Sequence, residues 1–102
     1  MHNGNVTIKV IGVGGGGGNA VSHIARHMNH GVEFAAVNTD LQALSAADVP
    51  LKLQIGAQVT QGFGSGARPE IGRQAAEESI EDIRALVHDT DLVFIAAGLG
   101  GG

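Results

Sequence analysis

The stretch that decides the fold is Val10-Ile11-Gly12-Val13-Gly14-Gly15-Gly16-Gly17-Gly18-Asn19. A short apolar run is followed by five consecutive glycines and then by an Asn that can cap a helix. This order predicts a β-strand, a turn of bare backbone and the start of a helix at the Asn. Glycine backbone can lie directly against a ligand, and the free N–H groups and dipole of the following helix suit a phosphate. No Lys follows the glycines, so this is not a Walker A loop, and backbone amides would hold the anion.

The rest of the chain alternates between apolar runs and amphipathic helical patterns. Strands are expected at 6–13, 32–37, 51–55 and 92–97. Helices are expected at 19–30, 41–47 and 69–87, with a flexible glycine-rich stretch at 56–68. The first and last strands are apolar enough to be buried. Alternating strands and helices favour an α/β fold, a three-layer, Rossmann-like parallel sheet with helices on its faces.

Glycine-rich or polar loops follow three of the expected strands, at 14–19, 38–40 and 98–102. In a parallel sheet the carboxyl ends of the strands lie on one side, where ligands bind. The glycine-rich loop at 62–68 precedes the last long helix and can join them. One such loop is a weak signal, whereas several on one rim predict a nucleotide site.

Composition excludes several classes of protein. The 102 residues make at most one domain, and a net charge of −4 with three Phe, no Trp and no Tyr argues against nucleic-acid binding. The absence of Cys fits a cytosolic location. No apolar run is long enough to insert into a membrane, and residues 1–5 are expected to form a disordered polar tail rather than a signal peptide.

The glycine run leaves alternatives open. Gly12, Gly14 and Gly17 also satisfy the fingerprint of NAD- or FAD-binding modules, with Asp40 as a somewhat late candidate for the ribose-binding acid. A run of glycines meets that pattern almost automatically. The junction could also be a tight turn in a non-catalytic assembly fragment that binds no nucleotide. Asp40 itself could cap a helix, face the nucleotide, or do both.

Other polar side chains carry weaker signals. His23, His27 and His30 have a spacing that could bind metal, but no Cys, Asp or Glu joins them, so a partly exposed helix face is favoured. The acidic residues of the 69–87 helix are interpreted as a solvated face. No metal site is therefore expected. Ser65 has no His or Asp partner arrangement, and Arg68 is interpreted as a solvated loop charge.

Four stretches of the chain resemble the FtsZ family, the bacterial relatives of tubulin. They are Ile8–Val21, Gly31–Leu44, Gly62–Arg73 and Asp91–Gly102. The resemblance covers residues 6–102 in order, and implies the N-terminal half of a tubulin/FtsZ GTPase domain, truncated inside the glycine part of the tubulin signature loop. Ser65 and Arg68 stand where the family often has Ala and Asn. The family's Thr-Gly-Thr-Gly run, guanine-contacting helix, long central helix, acidic loop, C-terminal subdomain and adaptor-binding tail have no counterpart in the chain.

The resemblance implies GTP or GDP as ligand, with Mg²⁺ accompanying GTP and held mostly by phosphates and water. It places backbone N–H groups of five residues near the diphosphate: Gly15, Gly16, Gly17, Gly18 and Asn19. It places Asn38 and Asp40 near the terminal phosphate and Gly66 and Ala67 over the γ-phosphate. The loop that cradles the phosphates from the other side would begin with Gly100, Gly101 and Gly102.

The resemblance also implies a biological setting. The family polymerises into filaments at the cytoplasmic division ring and hydrolyses GTP between two subunits, with acids from a loop that this chain lacks. The expected partners are further copies of the same protein and division adaptors bound through the missing tail. No catalytic residue is expected in this chain, and by itself it should not hydrolyse GTP.

Overall fold

Alternating strands and helices form the computed structural model, which describes residues 6–28 and 31–98. The strands are β1 (Ile8–Val13), β2 (Val32–Asn38), β3 (Leu51–Gln54) and β4 (Leu92–Ala97). The helices are α1 (Gly14–His27), α2 (Leu41–Ala46), α3 (Ala57–Thr60), α4 (Pro69–Glu78) and α5 (Ile80–Val87). The predicted tail 1–5, His30 and the final glycines Gly100–Gly102 lie outside the described residues.

The four strands pair in the order β3-β2-β1-β4, and every pair is parallel. β1 is central and pairs with both β2 and β4, so Ile8 lies opposite Val32 on one side and Leu92 on the other. All strands therefore end at one edge of the sheet. The predicted α/β parallel sheet is confirmed.

Successive side chains of a strand point to opposite faces, and the core is accordingly divided into two clusters. The first cluster packs under α4 and α5 and contains Ile11, Ala35, Val37, Ile55 and Ala75. The second packs under α1 and α2 and contains Val21, Phe34, Ala36, Leu44 and Val49. Helices on both faces give the three layers that the alternating pattern predicts.

Helix α1 begins five residues before the predicted start. It includes all five glycines, Val13 occupies the N-cap position without a side-chain cap bond, and Asn19 lies within the helix. The prediction that Asn19 caps the helix is wrong. Gly17 and the fully buried Val21 pack on the sheet, and this packing holds the glycine turn in helical form despite its low intrinsic helix propensity.

Two elements between residues 56 and 87 also differ from the prediction. The stretch expected to be flexible contains the short helix α3, and the expected long helix is divided into α4 and α5 at Ser79. Ser79 has φ −108° and ψ 22°, and its buried hydroxyl accepts a hydrogen bond of 3.0 Å from the N–H of Gly56. Pro69 opens α4 as predicted, since no N–H is needed there.

Strand β4 has the predicted bounds but is not buried. Leu92, Phe94 and Ile95 are 46%, 52% and 68% exposed. The prediction of a buried strand is wrong, because β4 is last in the strand order and pairs within the described residues with β1 alone.

Candidate functional site

A cavity of about 410 Å³ opens where β1 and β2 end. The first turn of α1, the segment after β2 and the loop before α4 all contribute lining residues. The described residues that line it include Gly14, Gly15, Asn38, Asp40, Gly66 and Ala67. The cavity lies at the edge of the sheet where parallel α/β folds bind ligands.

The amino end of α1 borders this cavity through Gly14 and Gly15. The N–H groups of Gly14, Gly15 and Gly16 open the helix, so no carbonyl within the helix accepts from them. The first turn contains no acidic residue and no side-chain cap. The positive end of the helix dipole is therefore available to an anion.

Packing explains Gly17 but not Gly16, where a Cβ atom would make only an ordinary van der Waals contact. Gly17 is buried, and a Cβ atom there would overlap the carbonyl oxygen of Ala96 in β4. At Gly16 a Cβ atom would lie 3.4 Å from the Cα atom of Gly98. By contrast, nothing lies within 4 Å of the Cβ position of Gly15 or Gly18. The glycine run thus serves close packing at some positions and leaves open space at others.

Asn38 and Asp40 are tied together at the end of β2. The side-chain oxygen of Asn38 accepts a 3.0 Å hydrogen bond from the N–H of Asp40. One carboxylate oxygen of Asp40 accepts bonds of 2.9 Å and 3.1 Å from the N–H groups of Gln42 and Ala43. The interpretation of Asp40 as a helix cap is confirmed, and the same residue also lines the cavity.

The loop before α4 is held beside Asp40 by backbone contacts. Phe63 forms an isolated antiparallel bridge with Asp40, and the N–H of Leu41 donates 3.0 Å to the carbonyl of Gly62. Farther along the loop, Gly66 and Ala67 take positive φ values of 62° and 59°. This turn exposes both residues at the cavity wall.

The charge around the cavity is sparse. Asp40 is the one charged residue among the described lining residues. Arg68 follows Ala67 in sequence but pairs with Glu70 at 2.9 Å, with both side chains exposed. The hydrogen bond from its own backbone and then the Arg68 contact hold the pKa of Glu70 below its ordinary value. The described lining residues therefore include no basic side chain that could meet an anion.

The structure brings most of the predicted site residues together. Gly15, Asn38, Asp40, Gly66 and Ala67 line the main cavity. Gly18 and Asn19 line an adjoining cavity of about 140 Å³, which Gly15 and Asn38 also border. Gly16 and Gly17 line neither cavity. What these residues bind stays a prediction.

The lining residues that sequence reasoning missed include Gly14, Thr39 and Gly64. Gly14 and Gly64 belong to glycine-rich stretches that were assigned to the rim, and Thr39 lies between two predicted site residues. A prediction by whole loops rather than by single residues would have included them. Among the described residues, no group of three or more His, Cys, Asp or Glu could hold a metal ion, and no helix is long and apolar enough to cross a membrane.

Comparison of the sequence with known proteins gives consistent matches. Residues 7–102 match the model of the Tubulin/FtsZ family, GTPase domain. The chain is 54% identical over 100 residues to the cell division protein FtsZ of Buchnera aphidicola, which covers 98% of this chain and 26% of that protein. It is 58% identical over 95 residues to FtsZ of Aquifex aeolicus, covering 93% of this chain and 26% of that protein. The chain thus spans about a quarter of the length of these curated relatives.

Comparison of the structure agrees. A W319Y mutant of FtsZ from M. jannaschii superposes with a TM-score of 0.94 at 40% identity, over 99% of this chain and 30% of the other. CetZ2 from Haloferax volcanii, in a GTPγS-bound protofilament, superposes with a TM-score of 0.80 at 29% identity, over 95% of this chain and 32% of the other.

Proposed function

Because the chain belongs to the Tubulin/FtsZ family and lies within its GTPase domain, we propose that the cavity at the ends of β1 and β2 binds the phosphates of GTP or GDP. The observation that carries the proposal is the amino end of α1, where three glycine N–H groups are unpaired in the helix and no acidic side chain neutralises the dipole. Mg²⁺ would enter with GTP, bound mainly by phosphate and water oxygens.

The proposed roles differ along the site. Gly15, Gly18 and Asn19 approach the diphosphate from α1, and Asn38 and Asp40 lie near the terminal phosphate. Gly66 and Ala67 close over the γ-phosphate from the loop before α4. Gly16 and Gly17 belong to the same turn of α1, and Gly17 also packs against Ala96 of β4. Gly100, Gly101 and Gly102 are proposed to contact the phosphates as well.

We propose for this protein the function that its relatives' names indicate. FtsZ relatives are named cell division proteins, and the CetZ2 neighbour is described in a protofilament with GTPγS. The proposal for this protein is self-assembly into filaments in the cytoplasm at the division site, with GTP hydrolysed between neighbouring subunits. Division adaptors are proposed as further partners. The 102-residue chain by itself should not release phosphate from GTP, because it carries no hydrolytic acidic loop.

The family match favours guanine nucleotides over NAD or FAD. Equilibrium competition between GTP, GDP, ATP and NAD for this chain tests the proposal. Preference for GTP and GDP supports it. Equal binding of GTP and ATP indicates phosphate recognition without a base site in this chain. Binding of NAD alone, or of no nucleotide, overturns it for this chain.

A matched pair of variants locates the binding site. Gly15→Val places a branched side chain in open space at the cavity wall, so nucleotide binding should fall at least tenfold while the fold persists. Ala20→Val makes a comparable change at an exposed position of the same helix, away from both cavities, and should leave binding unchanged. If the two variants bound nucleotide with equal affinity, the first turn of α1 would not be part of the binding site.

A further inference from the structure

Two histidine side chains meet on the exposed surface of α1, away from the nucleotide cavity. His23 and His27 are one helical turn apart, and both are exposed. Their ring centroids lie 5.0 Å apart with an interplanar angle of 66°. Residues at this spacing occupy one helix face, so the two imidazoles share the same patch of surface.

This separation is compatible with a shared metal ion. A zinc–nitrogen bond of about 2.0–2.1 Å places the ion about 3.2 Å from each ring centre. For a nitrogen–metal–nitrogen angle of about 90° to 109°, the two ring centres are then about 4.5–5.2 Å apart. The observed 5.0 Å falls within that interval. Because residues at this spacing lie side by side on a helix, a nitrogen of each ring can reach one ion through side-chain rotation.

The surroundings define which ions fit. No Asp or Glu joins the two histidines to make a group of three ligands within the described residues, and the nearby Arg26 is paired with Asp48 at 3.6 Å. The ligands supplied are thus two neutral nitrogens, with water completing the coordination. Imidazole nitrogen suits Cu²⁺, Ni²⁺ and Zn²⁺, whereas Mg²⁺ and Ca²⁺ prefer oxygen ligands.

The position of the two histidines near the carboxyl end of α1 also favours binding of a cation. α1 ends at His27, so an ion held there lies by the negative end of the helix dipole. We propose that His23 and His27 form a two-imidazole chelate site for a borderline divalent cation of the Cu²⁺, Ni²⁺ and Zn²⁺ class. The site is separate from the Mg²⁺ that accompanies GTP, because the two kinds of ion select different ligand atoms and the pair lines neither phosphate-side cavity.

The binding experiment isolates the pair from the other imidazoles. The chain has five histidines, so replacing His2, His30 and His88 with Asn leaves His23 and His27 as the only ones. Titration of this triple variant with Zn²⁺, Ni²⁺ and Cu²⁺ should give one bound ion per chain, with Cu²⁺ the tightest. Adding His23→Asn or His27→Asn should weaken binding at least as much as the loss of an outer-shell partner does, which is about 10–100-fold.

A stability measurement distinguishes chelation across the helix from binding to single imidazoles. An ion that needs both rings one turn apart binds the folded helix and raises the Tm as its concentration increases. The exchange variant H27M/M28H keeps the composition but places the second imidazole past the end of α1, and should lose both the Tm shift and the tight binding. A triple variant that binds no ion, or an exchange variant that binds as tightly as the natural sequence, would overturn the proposal. If the triple variant fails to fold, the same comparison is made with His23→Asn and His88→Asn in the natural chain, where only the former should weaken binding.

Discussion

The backbones of Gly12 and Gly17 are in direct contact, which joins the end of β1 to the first turns of α1. A Cβ atom at Gly12 would overlap the carbonyl oxygen of Gly17 and lie 2.6 Å from its carbonyl carbon. A Cβ atom at Gly17 would lie 3.0 Å from the carbonyl carbon of Gly12 and overlap the carbonyl oxygen of Ala96. These glycines allow the helix to begin directly above the sheet.

Gly17→Ala should therefore destabilise the fold by about 3 kcal/mol, as expected when backbone must move to accept a methyl group. Urea denaturation monitored by circular dichroism measures the change. The matched control is Gly15→Ala, where the new methyl group meets nothing within 4 Å and stability should be unchanged or slightly higher. Similar losses in the two variants would show that close packing does not explain Gly17.

Asp40 should contribute to stability through its cap on α2. Asp40→Ala removes the oxygen that accepts from the N–H groups of Gln42 and Ala43, at an expected cost of about 1 kcal/mol. Asp40→Asn keeps an accepting oxygen and should cost much less. Thermal or urea denaturation of the two variants makes the comparison, and an equal loss would contradict a role for the cap.

The charge of Asp40 should oppose phosphate binding. It is the one charged residue among the described residues lining the cavity, so Asp40→Asn should tighten GTP and GDP binding several-fold while the cap remains. Nucleotide titration at low and high salt measures the effect, which should shrink as salt screens the repulsion. Weaker binding by Asp40→Asn would indicate instead that the carboxylate acts through Mg²⁺.

Ser79 should matter for stability more than its position between two helices suggests. Its buried hydroxyl accepts the bond from the N–H of Gly56, so Ser79→Ala leaves a buried donor without its partner and should cost about 1–3 kcal/mol. Ser45→Ala is the control, because the exposed Ser45 hydroxyl donates to the Leu41 carbonyl of its own helix and its loss should change little. If both variants had the same denaturation curve as the natural chain, the hydrogen bond between Ser79 and Gly56 would not contribute to stability as predicted.

The carboxyl group of Glu70 should give a small acid-dependent contribution. Its pKa lies below the ordinary value of 4.5, chiefly through its backbone hydrogen bond and then through Arg68. A pKa lower in the folded than in the unfolded state means that the contribution is complete above about pH 4.5 and is lost as pH falls through the folded value. Arg68→Gln should raise the pKa only partly, because the backbone bond is the larger cause. Carbon-13 NMR titration of the Glu70 carboxyl measures both values, and an Arg68→Gln pKa equal to 4.5 would contradict this order of causes.

The local sequence pattern was sufficient to predict the strands and the edge of the sheet at which the cavity lies. The apolar runs predict β1, β2 and β4 to within two residues, because a short apolar run between turn signals is enough to indicate a strand. Since the strands are parallel, Asn38 and Gly15 had to follow strand ends on one edge. Their meeting at one cavity follows from topology rather than from any property of the individual residues.

The errors arise where distant contacts decide the local structure. The glycines of α1 have low helix propensity and are helical because Gly17 packs against Ala96. The break at Ser79 depends on Gly56, 23 residues earlier. The exposure of Ile95 depends on what covers the sheet edge, and that information is not contained in the apolar run itself. Tertiary contacts of this kind override propensity in both directions.

The central position of β1 has a consequence for the order of folding. Its contacts with β2 can form once residue 38 has been synthesised, whereas its other edge pairs with β4 in a register that joins Ile8 to Leu92. Sixty residues separate the two partners of Ile8, Val32 and Leu92, and at about 5–20 residues per second their synthesis takes about 3–12 s. During that interval one row of β1 amides and carbonyls is open on the nascent chain, a template for wrong pairing. The strand that holds the finished sheet together is thus the one most exposed to misassembly while the chain is being made.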